Sequence, residues 1–231
     1  MRIIRRAVLG LLFFASASHA QTISPVIVEY AEKARGSFEV RNDSFTPLTV
    51  VLEPRSFSVN GDGKPLYRAL DTEIRVELSA KSFRIGPQQT YTVFYKAHAE
   101  RLPAWFTIYA TITGPVTPTG IKLVIELPHT VYLLTRHALE ASSVVVNRAE
   151  NTGPRTVTLE VENRSPDFAR VQEVELSANS THKKFPGFPF FPGQRRKLTL
   201  EWDQPAPPAK LVLKFAKFQV EYPIATATRS P

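Results

Sequence analysis

FRIGPQQTYTVFYKAHAERLPAWFTIYATITGPVTPTGIKLVIELPHTVYLL, residues 83–134, decides the fold. Tyr91–Tyr95, Trp105–Thr113 and Ile121–Leu127 each read as a strand. Ile121, Leu123, Ile125 and Leu127 fall at period two and share one face, with Lys122, Val124 and Glu126 on the other; this is the pattern of a half-buried strand. Ile85-Gly86-Pro87, Leu102-Pro103 and the loop from Gly114 to Thr119 punctuate the strands with residues that end regular structure. No helical period of useful length interrupts them.

The same texture extends outward. Upstream, Ile23–Tyr30 is extended and rich in β-branched residues, and Ser37–Arg41 places Phe38 and Val40 on one face. Leu48–Leu52 is a continuous apolar run, expected for a strand buried on both sides. Asn60-Gly61-Asp62-Gly63 before Pro65 is a turn, and Glu73–Leu78 alternates through Ile74, Val76 and Leu78. Strands at this spacing predict a β-sandwich. Downstream of Arg136 a second set follows: Val144–Asn147, Arg155–Glu162, Arg170–Ser177, Lys197–Trp202 and Lys210–Tyr222. Asn151–Pro154 reads as a hairpin turn, Pro186–Pro192 as a proline-aromatic loop and Pro205–Pro208 as a rigid connection. The expectation is an all-β protein of two immunoglobulin-like sandwiches, residues 21–138 and 139–231, with a frayed tail after Ile224.

Composition agrees. Of 231 residues 43% are hydrophobic, enough to build cores, and 19 prolines favour short strands and turns over long helices. Arg2, Arg5 and Arg6 followed by the apolar Ala7–Ala17 read as a signal peptide too short to span a bilayer; Ser18 and Ala20 place the cleavage after Ala20, in residues 1–20. An exported protein without cysteine has no disulfides, so its stability comes from core burial. The formal charge of +8 includes three leader arginines and falls to an excess of five without them. The densest basic run, Arg195-Arg196-Lys197, is short, which speaks against nucleic acid as a partner.

Chemistry is sparse. There is no nucleophile elbow, no glycine-rich phosphate loop and no set of histidines at metal-ligand spacing. His129 and His137 stand nearest to such a role, and a surface or edge-strand position suits them better. The sequons at Asn42, Asn163 and Asn179 are short enough to arise by chance. Neither a catalytic residue, a metal site, a cofactor nor a small-molecule substrate is expected; a binding protein, not an enzyme, is the reading.

In order and spacing the chain is similar to the periplasmic pilus chaperones of the chaperone–usher family. The similarity rests on Ile85-Gly86-Pro87, Leu102-Pro103 before the aromatic strand Trp105–Tyr109, the last strand Gly120–Leu127 and the strand-ending Val40-Arg41-Asn42-Asp43. In the second half it rests on Val161-Glu162-Asn163-Arg164-Ser165-Pro166 and Phe191-Pro192-Gly193. The resemblance implies two immunoglobulin-like domains in an L-shaped arrangement. It implies a periplasmic chaperone that caps pilus or fimbrial subunits by lending them a β-strand, and a hand-over to an outer-membrane usher. The lending strand would carry Ile121, Leu123, Ile125 and Leu127, and an exposed strand of this kind also allows self-association. The family's cleft holds an arginine and a lysine that bind the subunit's terminal carboxylate. Their places fall near Val26 and on Tyr132, neither basic, so the carboxylate anchor is unknown. The alternative is a structural or adhesive two-domain surface protein with the same fold and no chaperone activity.

Overall fold

The computed structural model describes residues 21–115, 120, 122–153 and 155–225; the expected leader, its cleavage site and Ile121 lie outside them. The first half contains β1 (Thr22–Ser24), β2 (Ile27–Ala31), β3 (Lys33–Arg41), β4 (Leu48–Val59), β5 (Pro65–Ala69), β6 (Ile74–Leu78), β7 (Ser82–Ile85), β8 (Thr90–Ala99), β9 (Ala104–Thr113) and β10 (Val124–Leu134). The second contains β11 (Val144–Gly153), β12 (Thr156–Asn163), β13 (Ala169–Ala178), β14 (Thr181–Phe190), β15 (Arg195–Glu201), β16 (Lys210–Lys214) and β17 (Gln219–Pro223), preceded by a 3-10 turn at Ala141–Ser143.

Two sandwiches result. In the first, β1-β3-β8-β6 face β2-β10-β9-β4-β5, with β7 also on β4. Period-two alternation explains the packing: β8 buries Val93, Tyr95 and Ala97 and exposes Thr92, Phe94 and Lys96. The inner faces meet around Phe38, Val40, Val50, Phe106 and Ile108. In the second, β11-β12-β15 face β14-β13-β16-β17 around Leu159, Leu176, Phe190, Trp202 and Leu211.

Several expectations are corrected. Ile23–Tyr30 is two strands in two sheets: β1 pairs with β3, the chain crosses at the cis Ser24-Pro25 bond, and β2 pairs with β10. Leu48–Leu52 is covered on one side only, since Thr49 and Val51 are exposed. Lys210–Tyr222 is a hairpin of β16 and β17. Pro186–Pro192 is mostly strand: β14 pairs with β13 through Pro186 and Pro189. Prolines concentrate there because β14 is the outermost strand, which gives up ladder bonds more readily than a central one. Gly187 lies so close to the Val171 and Gln172 carbonyls that a Cβ there would collide with them.

Both sandwiches use one corner device. Asn42, fully buried, follows β3; its Nδ2 donates to the carbonyls of Thr46 (2.8 Å), Gly86 (2.9 Å) and Ile85 (3.4 Å), and its Oδ1 accepts from the Ser44 N–H (2.9 Å) and hydroxyl (2.6 Å). Asn163, equally buried, ends β12 and donates to the Asp167 and Phe190 carbonyls at 2.8 and 3.3 Å while accepting from Ser165. A glutamine completes each corner. The backbone N–H of Asn42 donates to the Gln89 carbonyl and that of Asn163 to the Gln194 carbonyl; Gln89 and Gln194 side chains accept from Gly86 and Phe191 N–H. The Asn-x-Ser spacing is thus a turn in which the serine answers the asparagine.

The halves meet on aromatic side chains. Phe57 and Tyr132 of the first and Phe168 and Phe191 of the second form a separate buried cluster, flanked by Trp105, whose Nε1 donates to the Phe57 carbonyl at 2.8 Å. The turn after β4 adds polar contacts: the Lys197 N–H donates to the Gly61 carbonyl at 3.0 Å, and Gln194 Nε2 to the Asn60 carbonyl at 3.4 Å. Arg196 packs against Gly63, whose φ of 84° and lack of a side chain both suit the position.

Replacing Asn42 by Ala leaves buried carbonyls without a donor, and is expected to lower the unfolding free energy by roughly 2–3 kcal/mol. Urea denaturation measures this; a loss within error of zero would show that the corner does not hold the fold.

Candidate functional site

The edge of the second sheet of the first sandwich is where the fold is incomplete. β2 runs parallel to β10 only from Thr130 to Leu134, whereas β9 accompanies β10 from Val124 to Leu133. The Thr130 N–H donates to the Val26 carbonyl at 2.7 Å, at the point where this cover begins. Backbone direction alternates along a strand, so the peptide groups of Val124, Glu126 and Pro128 face the same outer side as that of Thr130. No strand among the described residues meets them there. Pro128 has no N–H to offer.

Apolar side chains surround this open edge. Val26 and Ile27 are about half exposed, and Leu123 and Val124 are 61% and 53% exposed. Of the four aliphatics expected on one face, Ile121 lies outside the described residues. Leu123 stands just before β10, in the open. Ile125 and Leu127 are half-buried at the rim of the first core. Their face continues inward as His129, Val131 and Leu133, all fully buried. The period-two face therefore runs from solvent at one end of β10 into the sandwich at the other.

His129 marks the transition: it lies on the open-edged stretch of β10, in keeping with the edge-strand expectation, but its complete burial corrects the expectation of a surface position. Its Nδ1 lies 2.6 Å from the Pro25 carbonyl, which only accepts, so Nδ1 carries the proton and Nε2 accepts from the Tyr95 hydroxyl at 3.0 Å. The ring stacks on Phe38 at 4.6 Å between centroids, and the Tyr30 hydroxyl lies 3.2 Å from that of Tyr95. Burial pushes the imidazole below its usual pKa, opposed by the Pro25 bond. Burial likewise pushes the Tyr95 phenol far up, aided by Tyr30. The histidine thus pins the strand crossing at Pro25 to β10.

The cleft beside this edge holds a basic group that sequence reading did not assign. Tyr132 is buried, and the Arg170 guanidinium of the second sandwich lies 5.6 Å from its ring centroid. Arg170 donates from Nε and Nη2 to Glu29 Oε1 at 3.0 and 2.7 Å, and both side chains keep about a third of their surface in solvent. An open groove of about 350 Å³ runs past Glu29, Arg136, Phe168, Arg170 and Lys217. No local pattern announces Arg170, because its partners lie more than a hundred residues earlier or in the other sandwich. Among the described residues no three His, Asp or Glu side chains gather to hold a metal ion, and no helix is long and apolar enough to cross a membrane.

Comparison with solved structures gives the fold of fimbrial chaperones. The YadV chaperone matches at a TM-score of 0.55 and 11% identity over 87% of this chain and 99% of its own. The class 5 fimbriae chaperone CfaA matches at 0.55 and 8% over 89% and 99%. A Salmonella enterica structure of the SafA pilin in complex with the SafB chaperone matches at 0.54 and 14% over 90% and 98%. No protein-family model and no curated protein matches the sequence. The similarity read from residues 83–134 is borne out as a likeness of fold.

His129 makes the fold pH-sensitive. The unfolded chain takes up the proton near pH 6.5 and the folded chain only below that, so the stability present above pH 6.5 is lost as pH falls through this window. Urea midpoints should drop between pH 7.5 and 5, and His129→Gln should flatten that drop. Parallel profiles for the two proteins would contradict the assignment.

Proposed function

We propose that the protein is a periplasmic chaperone that caps pilus or fimbrial subunits by donating the edge of Gly120–Leu127, with residues 21–138 as the donating sandwich and 139–231 as its companion. An outer-membrane usher is the expected recipient of the complex. The observation that carries this reading is the uncovered outer edge of β10 from Val124 to Pro128, bordered by exposed Val26, Ile27, Leu123 and Val124, in a fold shared with fimbrial chaperones.

The physics is strand addition. A subunit lacking its last strand exposes an apolar groove between two unpaired edges. β10 supplies main-chain donors and acceptors to such an edge, while Leu123, Ile125 and Leu127, with Ile121 before them, fill the groove. The half-burial of Ile125 and Leu127 against their own core suits this role: a strand held on one side by β9 is presented already ordered, so less conformational entropy is lost on binding.

Arg170 serves in this reading as the carboxylate anchor. It stands over Tyr132, where the family has its lysine, and its present partner Glu29 is a solvent-reachable carboxylate that a subunit's C-terminal carboxylate replaces in kind. The cation comes from the second sandwich, so both halves are needed to hold one subunit.

The double variant Leu123→Glu, Ile125→Glu should abolish recovery of the cognate subunit from the periplasm. Leu123→Glu alone, on an exposed side chain, should weaken it while leaving the melting temperature unchanged. Full subunit recovery with the folded double variant would overturn the proposal. Arg170→Ala should weaken the chaperone–subunit complex about tenfold or more, the equivalent of a charged hydrogen bond of ~1.5–3 kcal/mol. Arg170→Lys should restore part of it.

A further inference from the structure

Cations on the sheet faces of this protein are generally matched by acids. Lys214 bridges Glu173 and Glu175, Arg195 reaches Glu160 and Glu162, and Arg55 meets Glu53 and Glu126. The outer face of the β1-β3-β8-β6 sheet departs from this. Lys33, His98 and Arg75 stand directly opposite one another on β3, β8 and β6, and one row along stand Arg35, Lys96 and Glu77. All of these side chains point away from the core. Among the described residues Lys33, Arg35, Arg75 and Lys96 make no ion pair or side-chain hydrogen bond; Glu77, opposite Lys96, is the one acid in the two rows and is likewise unpaired.

Like charges opposed across strands destabilise a sheet. A face with four unmatched cations in such rows weakens the free protein, and a cluster of one sign on an open face is complementary to an anionic partner. Phe94, 61% exposed, stands on β8 two residues from Lys96 on the same face. Two shallow concavities open there. One of about 450 Å³ lies among Arg35, Glu77, Phe94 and Lys96, and one of about 230 Å³ among Lys33, Arg35, Lys96 and His98.

We infer that this face docks on a membrane surface rich in anionic phospholipid, with headgroup phosphates among Lys33, Arg35, Arg75 and Lys96 and the Phe94 ring entering the interface. The shape favours lipid over an acidic polypeptide. The face is an open sheet surface whose two concavities are shallow, and the main-chain groups of β8, between β3 and β6, are used within the sheet, so a chain lying across the face would be held by side chains alone. Separate phosphates need only local cations, and an exposed aromatic ring beside basic residues is the pattern of interfacial binding. Each such cation near an anionic surface adds roughly fivefold to partitioning at low salt. The surface belongs to the sheet opposite the one that carries β10, so docking leaves the β10 edge free.

Flotation of the purified protein with phosphatidylcholine vesicles, with and without about a third phosphatidylglycerol, tests this at low ionic strength. Binding only to the anionic vesicles, lost in high salt and not displaced by millimolar inorganic phosphate, is the expected result. The variant Lys33→Gln, Arg35→Gln, Arg75→Gln, Lys96→Gln should bind at least tenfold less well, and its melting temperature should equal or exceed that of the parent because repulsion is relieved. Phe94→Ser should lose a few-fold. Failure of the parent to float with anionic vesicles would overturn the inference, as would equal binding by the folded quadruple variant. Capture on immobilised polyglutamate without vesicle binding would also overturn it, in favour of an acidic protein partner.

Discussion

A strand can close a sheet edge only along as many residues as it brings. β2 has five residues and β10 has eleven, and most of the architecture of the first sandwich follows from that mismatch. The chain arrives at β2 after serving the opposite sheet as β1, and the crossing uses Pro25 and Val26. Six residues at the start of β10 are left with β9 on one side and no strand among the described residues on the other. Unpaired peptide groups at an exposed edge are open to pairing with another chain unless covered or blunted. Here the edge is bordered by apolar side chains, with Glu126 as its single charge between Val124 and Pro128. His129 fixes where the covered part begins, since its bond to the Pro25 carbonyl ties the crossing to β10 at the last residue before β2 takes over.

The second sandwich is more than a companion fold. The aromatic cluster of Phe57, Tyr132, Phe168 and Phe191 joins the two halves on the strand that also carries the open edge, because Tyr132 is in β10. Rings that meet edge-to-face, such as Phe57 on Phe191 and Phe168 on Phe191, favour particular orientations over sliding. The cluster therefore sets the position of Arg170 relative to β10. Polar contacts of Asn60 with Gln194, just before β15, and of Gly61 with Lys197 in β15 hold the opposite margin of the same contact.

The sequence announces what is local and periodic. Alternation at Ser37–Arg41, Glu73–Leu78, Tyr91–Tyr95 and Trp105–Thr113 corresponds to β3, β6, β8 and β9, and the sandwich class follows from their spacing. β5 leaves no periodic signal because all five of its residues are exposed and it has no apolar face; β7, with four residues, is too short to show one. Composition made Ile23–Tyr30 look continuous, since nothing local says that its halves pair with different sheets. Prolines make β14 look like a loop, because nothing local says that it lies outermost. The burial of His129 and the place of Arg170 depend on partners 104 and 141 residues away, so no window along the chain contains them. Asn42 and Asn163 are legible as sequons and within the motifs Val40–Asp43 and Val161–Pro166, but carbonyls that they meet lie 43 and 27 residues further on.

Pro128 carries a consequence for whatever lies along the β10 edge. Val124 and Glu126 each present an N–H and a carbonyl outward, and Pro128 presents a carbonyl alone. A chain zipping along this edge loses its donor at that rung, immediately before β2 occupies the remaining places. The strand thus has a ruled length with a stop at one end, and a visitor displaced by one residue would set its carbonyl against a ring instead of an N–H. Alignment of the visitor is read by the backbone of β10 itself, whatever side chains it brings.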